Sequence, residues 1–235
     1  MCWPDAQLRA YCDDSPGQPH PVLLWRFAEP MRTVSSGVLG GGLGLRDWVL
    51  NAQVSLNYDR PDPDQHLHEI AAGLGLDPTS GIGLMTAARV RQLTSATDGG
   101  VRCDATVGLS YPTWAAAPAD TPTPAQRWRP GTINLVCLVP IALADAALVN
   151  AVATATEAKS QALMEAGIPA TGTASDAIVI ACPASGPAEP YAGPRSTWGA
   201  RLARAVHAAV ADGTSHWIST HANAGHYRGR QISRL

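Results

Sequence analysis

Short apolar runs bounded by proline or glycine dominate the first half of the chain, and helical periodicity takes over in the second. Residues 22–27 and 31–36 are two such runs and are expected to be strands. A glycine-rich bend at 38–44 leads into the apolar stretch 48–54. Asp62, Pro63 and Asp64 then mark a helix start, with an acidic cap and proline at the first position, for a helix running towards Leu74. Residues 81–88 and 101–110 are expected strands separated by the turn Thr97-Asp98-Gly99-Gly100, where glycine supplies the positive φ that tight turns need. A strongly apolar strand at 132–139 precedes a helix from 144 to 166, stopped by Gly167 with Pro169 just beyond. A strand at 177–182 and a last helix at 197–211 follow. Elements mixed in this order predict an α+β or α/β fold, a single layered domain whose mixed β-sheet is packed by helices. The domain is expected to occupy residues 1–212, with 213–235, where periodicity lapses, as a flexible tail.

Between the two halves, residues 112–130 are mostly proline, alanine and threonine with two tryptophans, Trp114 and Trp128. That composition buries too little surface to pack as an element, so a long surface loop is expected, able to close over a ligand. A chain of 235 residues that is 46% apolar can bury one substantial core. With 17 basic against 19 acidic residues and no Lys/Arg-rich run, it lacks the electrostatic footprint that nucleic acid requires. The cysteines, at 2, 12, 103, 137 and 182, are widely spaced and never C-x-x-C, which argues against a disulfide framework and a structural zinc. No apolar run approaches the roughly 20 residues that span a membrane, and the first residues lack a signal-peptide pattern. A cytoplasmic protein without membrane or nucleic-acid partners is therefore expected, and a homo-oligomer is compatible with the sequence.

Candidate chemistry concentrates in a few places. The run Gly40-Gly41-Gly42-Leu43-Gly44 does not fit G-x-G-x-x-G, and no G-x-x-x-x-G-K-[ST] exists, so no nucleotide cofactor is indicated. Its glycines either make a tight turn or let backbone amides approach a ligand. His66 and His68 stand two apart on a helix and so point to different sides, and His216, His221 and His226 fall in the expected tail; no metal is expected. No G-x-S-x-G elbow is present.

The richest region is 131–176. Thr132 and Asn134 lie on one face of a strand, offering a hydroxyl and a carboxamide either to an oxyanion or to local capping. On the following helix, Leu148, Val152, Ala155 and Leu163 form an apolar stripe with Lys159, the single lysine of the chain, in its middle. Asn150, Thr154, Glu157 and Gln161 occupy the other side. A lysine so placed either snorkels to water or meets a carboxylate, and Asp176 at the next strand is the candidate partner, in a structural or a catalytic pair.

Ser35-Ser36 with Gly40-Gly41-Gly42, then Asn51 and Val54, Leu84-Met85-Thr86-Ala87-Ala88, Gly131-Thr132-Ile133-Asn134, Thr154-Ala155-Thr156-Glu157-Ala158-Lys159 and Thr171-Gly172-Thr173-Ala174-Ser175-Asp176 appear in collinear order. Over residues 34–210 the sequence thereby resembles the adenosylcobinamide amidohydrolases. The resemblance implies hydrolysis of adenosylcobinamide to adenosylcobyric acid and 1-amino-2-propanol in corrinoid salvage, with the corrinoid as substrate and no cofactor. It brings no catalytic assignment, so roles are drawn from side-chain chemistry. Candidate catalytic residues are Thr132, Asn134, Glu157, Lys159, Thr173 and Asp176. Thr132 or Thr173 attacks after deprotonation by a neutral Lys159, or Asp176 and Glu157 orient a water. Candidate substrate contacts are Ser36, Gly40, Gly41, Gly42, Asn51 and Thr86. Trp114 and Trp128 join them because a corrin is a broad apolar disc edged by amides. A non-catalytic corrinoid-binding module, and an amide hydrolase or peptidase of another substrate class, are the competing readings.

Overall fold

The computed structural model describes residues 3–12, 19–119 and 131–221. In chain order its elements are β1 (Gln7–Tyr11), β2 (His20–Ser35), β3 (Gly42–Gln53), α1 (Pro63–Gly73), β4 (Gly81–Thr86), a 3-10 turn (Val90–Gln92), β5 (Thr94–Asp98), β6 (Val101–Val107), β7 (Ile133–Leu138), α2 (Asp145–Glu165), β8 (Ala177–Pro183) and α3 (Thr197–His221). The eight strands form one mixed sheet in the order β4-β3-β2-β8-β7-β6-β5, with β1 beside β2. Only β3–β4 and β7–β8 run parallel. Three helices pack on this sheet, as the element pattern implied.

The two strands expected at 22–27 and 31–36 are halves of β2. Its register against β3 slips between Arg26 and Met31, and such an irregularity bends a strand and deepens its twist. One edge of β2 accordingly pairs first with β1 and then, past the bend, with β8. The sheet curls until β4 and β7, four places apart in strand order, meet: the Asn134 amide donates to the Met85 carbonyl at 3.0 Å. The concave face holds Trp25, Val49, Leu84, Val136 and Val179 in one core. On the convex face α2 and α3 cover β5 to β8, and α1 packs on β4 and shares a core with β2 and β3. Burying these two separate faces removes apolar area from water at about 25 cal/mol per Å², the main driving term for the curl.

Several local expectations need correction. The Thr97–Gly100 turn joins β6 to β5, not to β4; β5 is built of Thr94, Ser95, Ala96, Thr97 and Asp98 and carries no apolar signal. Asp62 precedes α1, yet its carboxylate holds Arg60 at 2.8 and 3.0 Å and caps no helical N–H. Helix α3 continues to His221, so residues 213–221 are not a tail. Gly213, Thr214 and Trp217 are buried in phase with Val206 and Val210, and Gly213 lies so close to Val107 that no side chain fits. Residues 120–130, with Trp128, and 222–235 lie outside the described residues.

Glycine is required at the β2–β3 turn. Gly40 has φ of 64°, and a Cβ there would collide with the Gly81 carbonyl where Leu39 bridges Gly83 of β4. Gly40→Ala is expected to destabilise the protein by more than about 2 kcal/mol, from left-handed strain plus the collision. Urea denaturation checks this; an unchanged midpoint contradicts it.

Candidate active site

The site forms where β7 and β8 begin side by side, in the register Asn134 to Ala177. Asp176 organises it. One carboxylate oxygen accepts the Ile133 N–H at 2.9 Å and the Thr173 hydroxyl at 2.5 Å; the other accepts the Thr173 N–H at 3.1 Å and the Lys159 ammonium. Four donors from three segments meet on one side chain. Lys159 arrives from α2, where Ala155, Ala158, Ala162 and Leu163 bury the same stripe. Its side chain is 7% exposed and that of Asp176 is 10%, so neither charge is left to water. Gly172 makes this possible, since a Cβ there would collide with both Asp176 Oδ2 and Lys159 Nζ.

Three hydroxyls surround the ion pair. Thr173 Oγ1 lies between Asp176 and the Gly131 carbonyl, 2.7 Å away, and its single proton serves one or the other. Thr132 Oγ1 is buried and sits 2.9 Å from Ser175 Oγ, which is exposed and also reaches the Gly131 carbonyl at 3.2 Å. The arrangement joins a hydroxyl to a carboxylate that is itself oriented by a cation.

Other candidates fall elsewhere. Asn134 and Asn51 are both 1% exposed inside the curl of the sheet. Asn134 donates to Asn51 Oδ1 and the Met85 carbonyl and accepts the Ala177 N–H, while Asn51 donates to Thr106. These bonds tie β7 to β3, β4 and β8, and they leave the Asn134 amide no free proton for an oxyanion. Glu157 is turned to solvent, because the helical step that brings Lys159 inward carries Glu157 away. Thr154, expected on the polar side, is buried and donates to the Ala192 carbonyl at 2.8 Å. Thr86 is buried and accepts the Ala88 N–H. Gly40, Gly41 and Gly42 make the chain crossing over β4, with the Gly40 carbonyl taking two bonds from Arg46. Ser36 is exposed beside β8, where its hydroxyl accepts the Ile178 N–H. Trp114 is 44% exposed, on a segment docked to Thr171 and Gly172.

The sequence points to Trp114 and the loop from residue 112 but assigns no role to Ser175 or to residues 108–111. The alternation Thr171, Thr173, Ser175 before Asp176 was the available signal, since it sets three hydroxyls at every second position next to a carboxylate. His66 is buried against Tyr58 on α1 and His68 is exposed, facing apart as their spacing implied. Among the described residues no group of three His, Cys, Asp or Glu side chains could hold a metal ion, and no helix is long and apolar enough to cross a membrane.

A carboxylate, an ammonium and three hydroxyls gathered where two interior strands begin are the groups that acyl transfer from an amide requires, and the comparisons agree that the chain is an amidohydrolase. The family model described as adenosylcobinamide amidohydrolase matches residues 8–222, and the chain belongs to that family. An adenosylcobinamide amidohydrolase of Halobacterium salinarum is 44% identical over 197 residues, covering 81% of this chain and 83% of the relative. One of Methanosarcina mazei is 33% identical over 182 residues, covering 74% of this chain and 84% of the relative.

Proposed function

We propose that this protein hydrolyses adenosylcobinamide at the side-chain amide that carries aminopropanol, giving adenosylcobyric acid and 1-amino-2-propanol for cobamide salvage. One observation carries the mechanism: the Thr173 hydroxyl stands 2.5 Å from an Asp176 oxygen whose partner oxygen is held by Lys159. Thr173 Oγ1 attacks the amide carbonyl as its proton passes to Asp176. The tetrahedral oxyanion is met by the Thr132 and Ser175 hydroxyls, with Lys159 supplying positive charge behind them. Collapse breaks the C–N bond as Asp176 returns the proton to the leaving nitrogen, and the acyl group stays on Thr173 as an ester. Water then adds to the ester, gives a proton to Asp176 and regenerates the Thr173 hydroxyl, so one water is consumed per amide cut. Attack by a water held between Asp176 and Glu157 is disfavoured, because Glu157 is on the outer face of α2, turned to solvent.

The test is incubation of the purified protein with adenosylcobinamide, followed by mass detection of adenosylcobyric acid and of free aminopropanol. Binding without release of the amine supports a corrinoid-binding module instead; cleavage of a peptide panel with no cobinamide turnover supports another substrate class. Among the described residues the site offers one carboxylate, one lysine and hydroxyls but no imidazole or thiol, so turnover is expected to persist in a chelator. Loss of activity in chelator with recovery on adding zinc contradicts that. Among the described residues Cys12, Cys103, Cys137 and Cys182 carry free thiols. Contact with Cys137 and burial push the Cys103 thiol up, leaving it protonated and inert.

A further inference from the structure

We propose that residues 110–115 form the arm that reads the corrin plane, with Tyr111 as a specificity-determining contact, and that Thr171 is the positioning residue that keeps this arm in register with the catalytic turn. The proposal rests on the hydrolase reading above and goes further, to how the substrate is seated.

The arm is fixed on both sides of the hydroxyl cluster. At its near end the Gly108 N–H donates to the Thr132 carbonyl at 2.9 Å. The chain there passes so close to Gly131 that a Cβ would lie 2.6 Å from the Gly108 oxygen and 3.0 Å from the Ser110 nitrogen. At its far end the Thr113 N–H donates to the Gly172 carbonyl at 2.8 Å, and the Thr171 N–H donates to the Thr113 carbonyl at 3.1 Å. Tyr111 and Pro112 therefore span from the wall that bears Thr132 to the wall that leads into Thr173 and Ser175. Tyr111 is 36% exposed and Trp114 is 44%, in a chain that is only 6% aromatic. Two exposed aromatics three positions apart, held beside the reacting groups, suit a flat apolar ring with polar edges.

Thr171 is the joint between this arm and the chemistry. Its hydroxyl accepts the Ala115 N–H at 2.9 Å and approaches the Thr113 carbonyl at 3.3 Å. Its carbonyl lies 2.9 Å from the hydroxyl of Ser160, the residue after Lys159, which shares its single proton between this carbonyl and that of Thr156. Its neighbour Gly172 packs on the Lys159–Asp176 pair. A shift of the arm is thus transmitted to α2 through Thr171, and to the turn that carries Thr173 through Thr171 together with the Thr113–Gly172 bond.

The test is steady-state kinetics with adenosylcobinamide, together with a binding titration of adenosylcobyric acid and a thermal melt, for Tyr111→Ala, Tyr111→Phe, Thr171→Val and Thr171→Ser. Tyr111→Ala is expected to raise KM and the product Kd about tenfold each with kcat changed less than about threefold, the size of effect a lost aromatic contact produces. Tyr111→Phe should stay near wild type. Thr171→Val keeps the shape and removes the hydroxyl; it is expected to lower kcat/KM about tenfold, with Thr171→Ser restoring it and melting nearly unchanged. Unchanged KM and Kd in Tyr111→Ala, or a Thr171→Val defect that serine does not rescue, overturns the proposal while hydrolysis by the wild type stands. Wild-type protein that binds the corrinoid without releasing aminopropanol removes the hydrolase reading and leaves the arm judged on Kd alone. Wild-type protein that neither binds nor cuts overturns both.

Discussion

Thr173→Ala is expected to lower turnover of adenosylcobinamide about a thousandfold or more in a protein that still folds. Of the three hydroxyls in the cluster, that of Thr173 is the one bonded to the Asp176 carboxylate, at 2.5 Å, so removing it takes away both attacking atom and the proton path. Its structural cost is modest. Losing the contacts to Asp176 and the Gly131 carbonyl removes about 1 kcal/mol, worth about 2–4 °C in melting temperature for a chain of this size. Thr173→Ser keeps the oxygen and should stay within about tenfold of wild type. Intact-mass analysis of rapidly quenched wild type should reveal a corrinoid acyl ester on the Thr173 peptide, absent from the alanine variant. An alanine variant that retains a tenth of wild-type activity would assign the attack elsewhere, with exposed Ser175 the first alternative.

Lys159→Met should reduce turnover about a hundredfold or more, the range typical of a lost acid, base or charge partner. Methionine keeps the apolar stem that packs along Ala155, Ala158 and Leu163, so the effect isolates the ammonium. It also strands the Asp176 carboxylate in a nearly dry site, which costs about 3–5 kcal/mol for a broken buried pair. Two consequences are therefore mixed in one variant, and a second substitution separates them. Lys159→Met combined with Asp176→Asn removes both charges, and is expected to regain most of the lost stability while turnover stays as low. If the double variant recovers turnover along with its melting temperature, the pair is structural only. A single variant with normal turnover per folded molecule leads to the same conclusion.

The pairing of Lys159 with Asp176 was legible because it depends on short-range rules. Helical periodicity places the lysine on the buried stripe, a buried ammonium needs a carboxylate, and Asp176 heads the next strand. Glu157 shared the same segment but not the same face, and two residues along a helix is a turn of about 200°. The fates of Asn51 and Asn134 were hidden for a different reason. Their partners lie 83 residues apart, brought together by a curl that depends on the bulge between Arg26 and Met31, and no local pattern announces a bulge there. Strand β5 escaped because its side chains are small and polar, and the end of α3 because Gly213 reads as a stop when its role is close packing on Val107.

The groups around Asp176 all come from residues 131–176, and its ion pair closes a loop of only 17 residues. The Asn51–Asn134 bond closes one of 83. Chain-closure entropy grows as the logarithm of loop length, so the ion pair costs about 1.4 kcal/mol less to close than the Asn51–Asn134 bond, and the Ile133–Asp176 contact, 43 residues apart, about 0.6 kcal/mol less. During folding, the β7–α2–β8 segment can acquire its chemistry while the rest of the sheet is still open. In pulse-labelling hydrogen exchange, the Ile133 and Thr173 amides that Asp176 holds are expected to gain protection before the strand amides of β3 and β4.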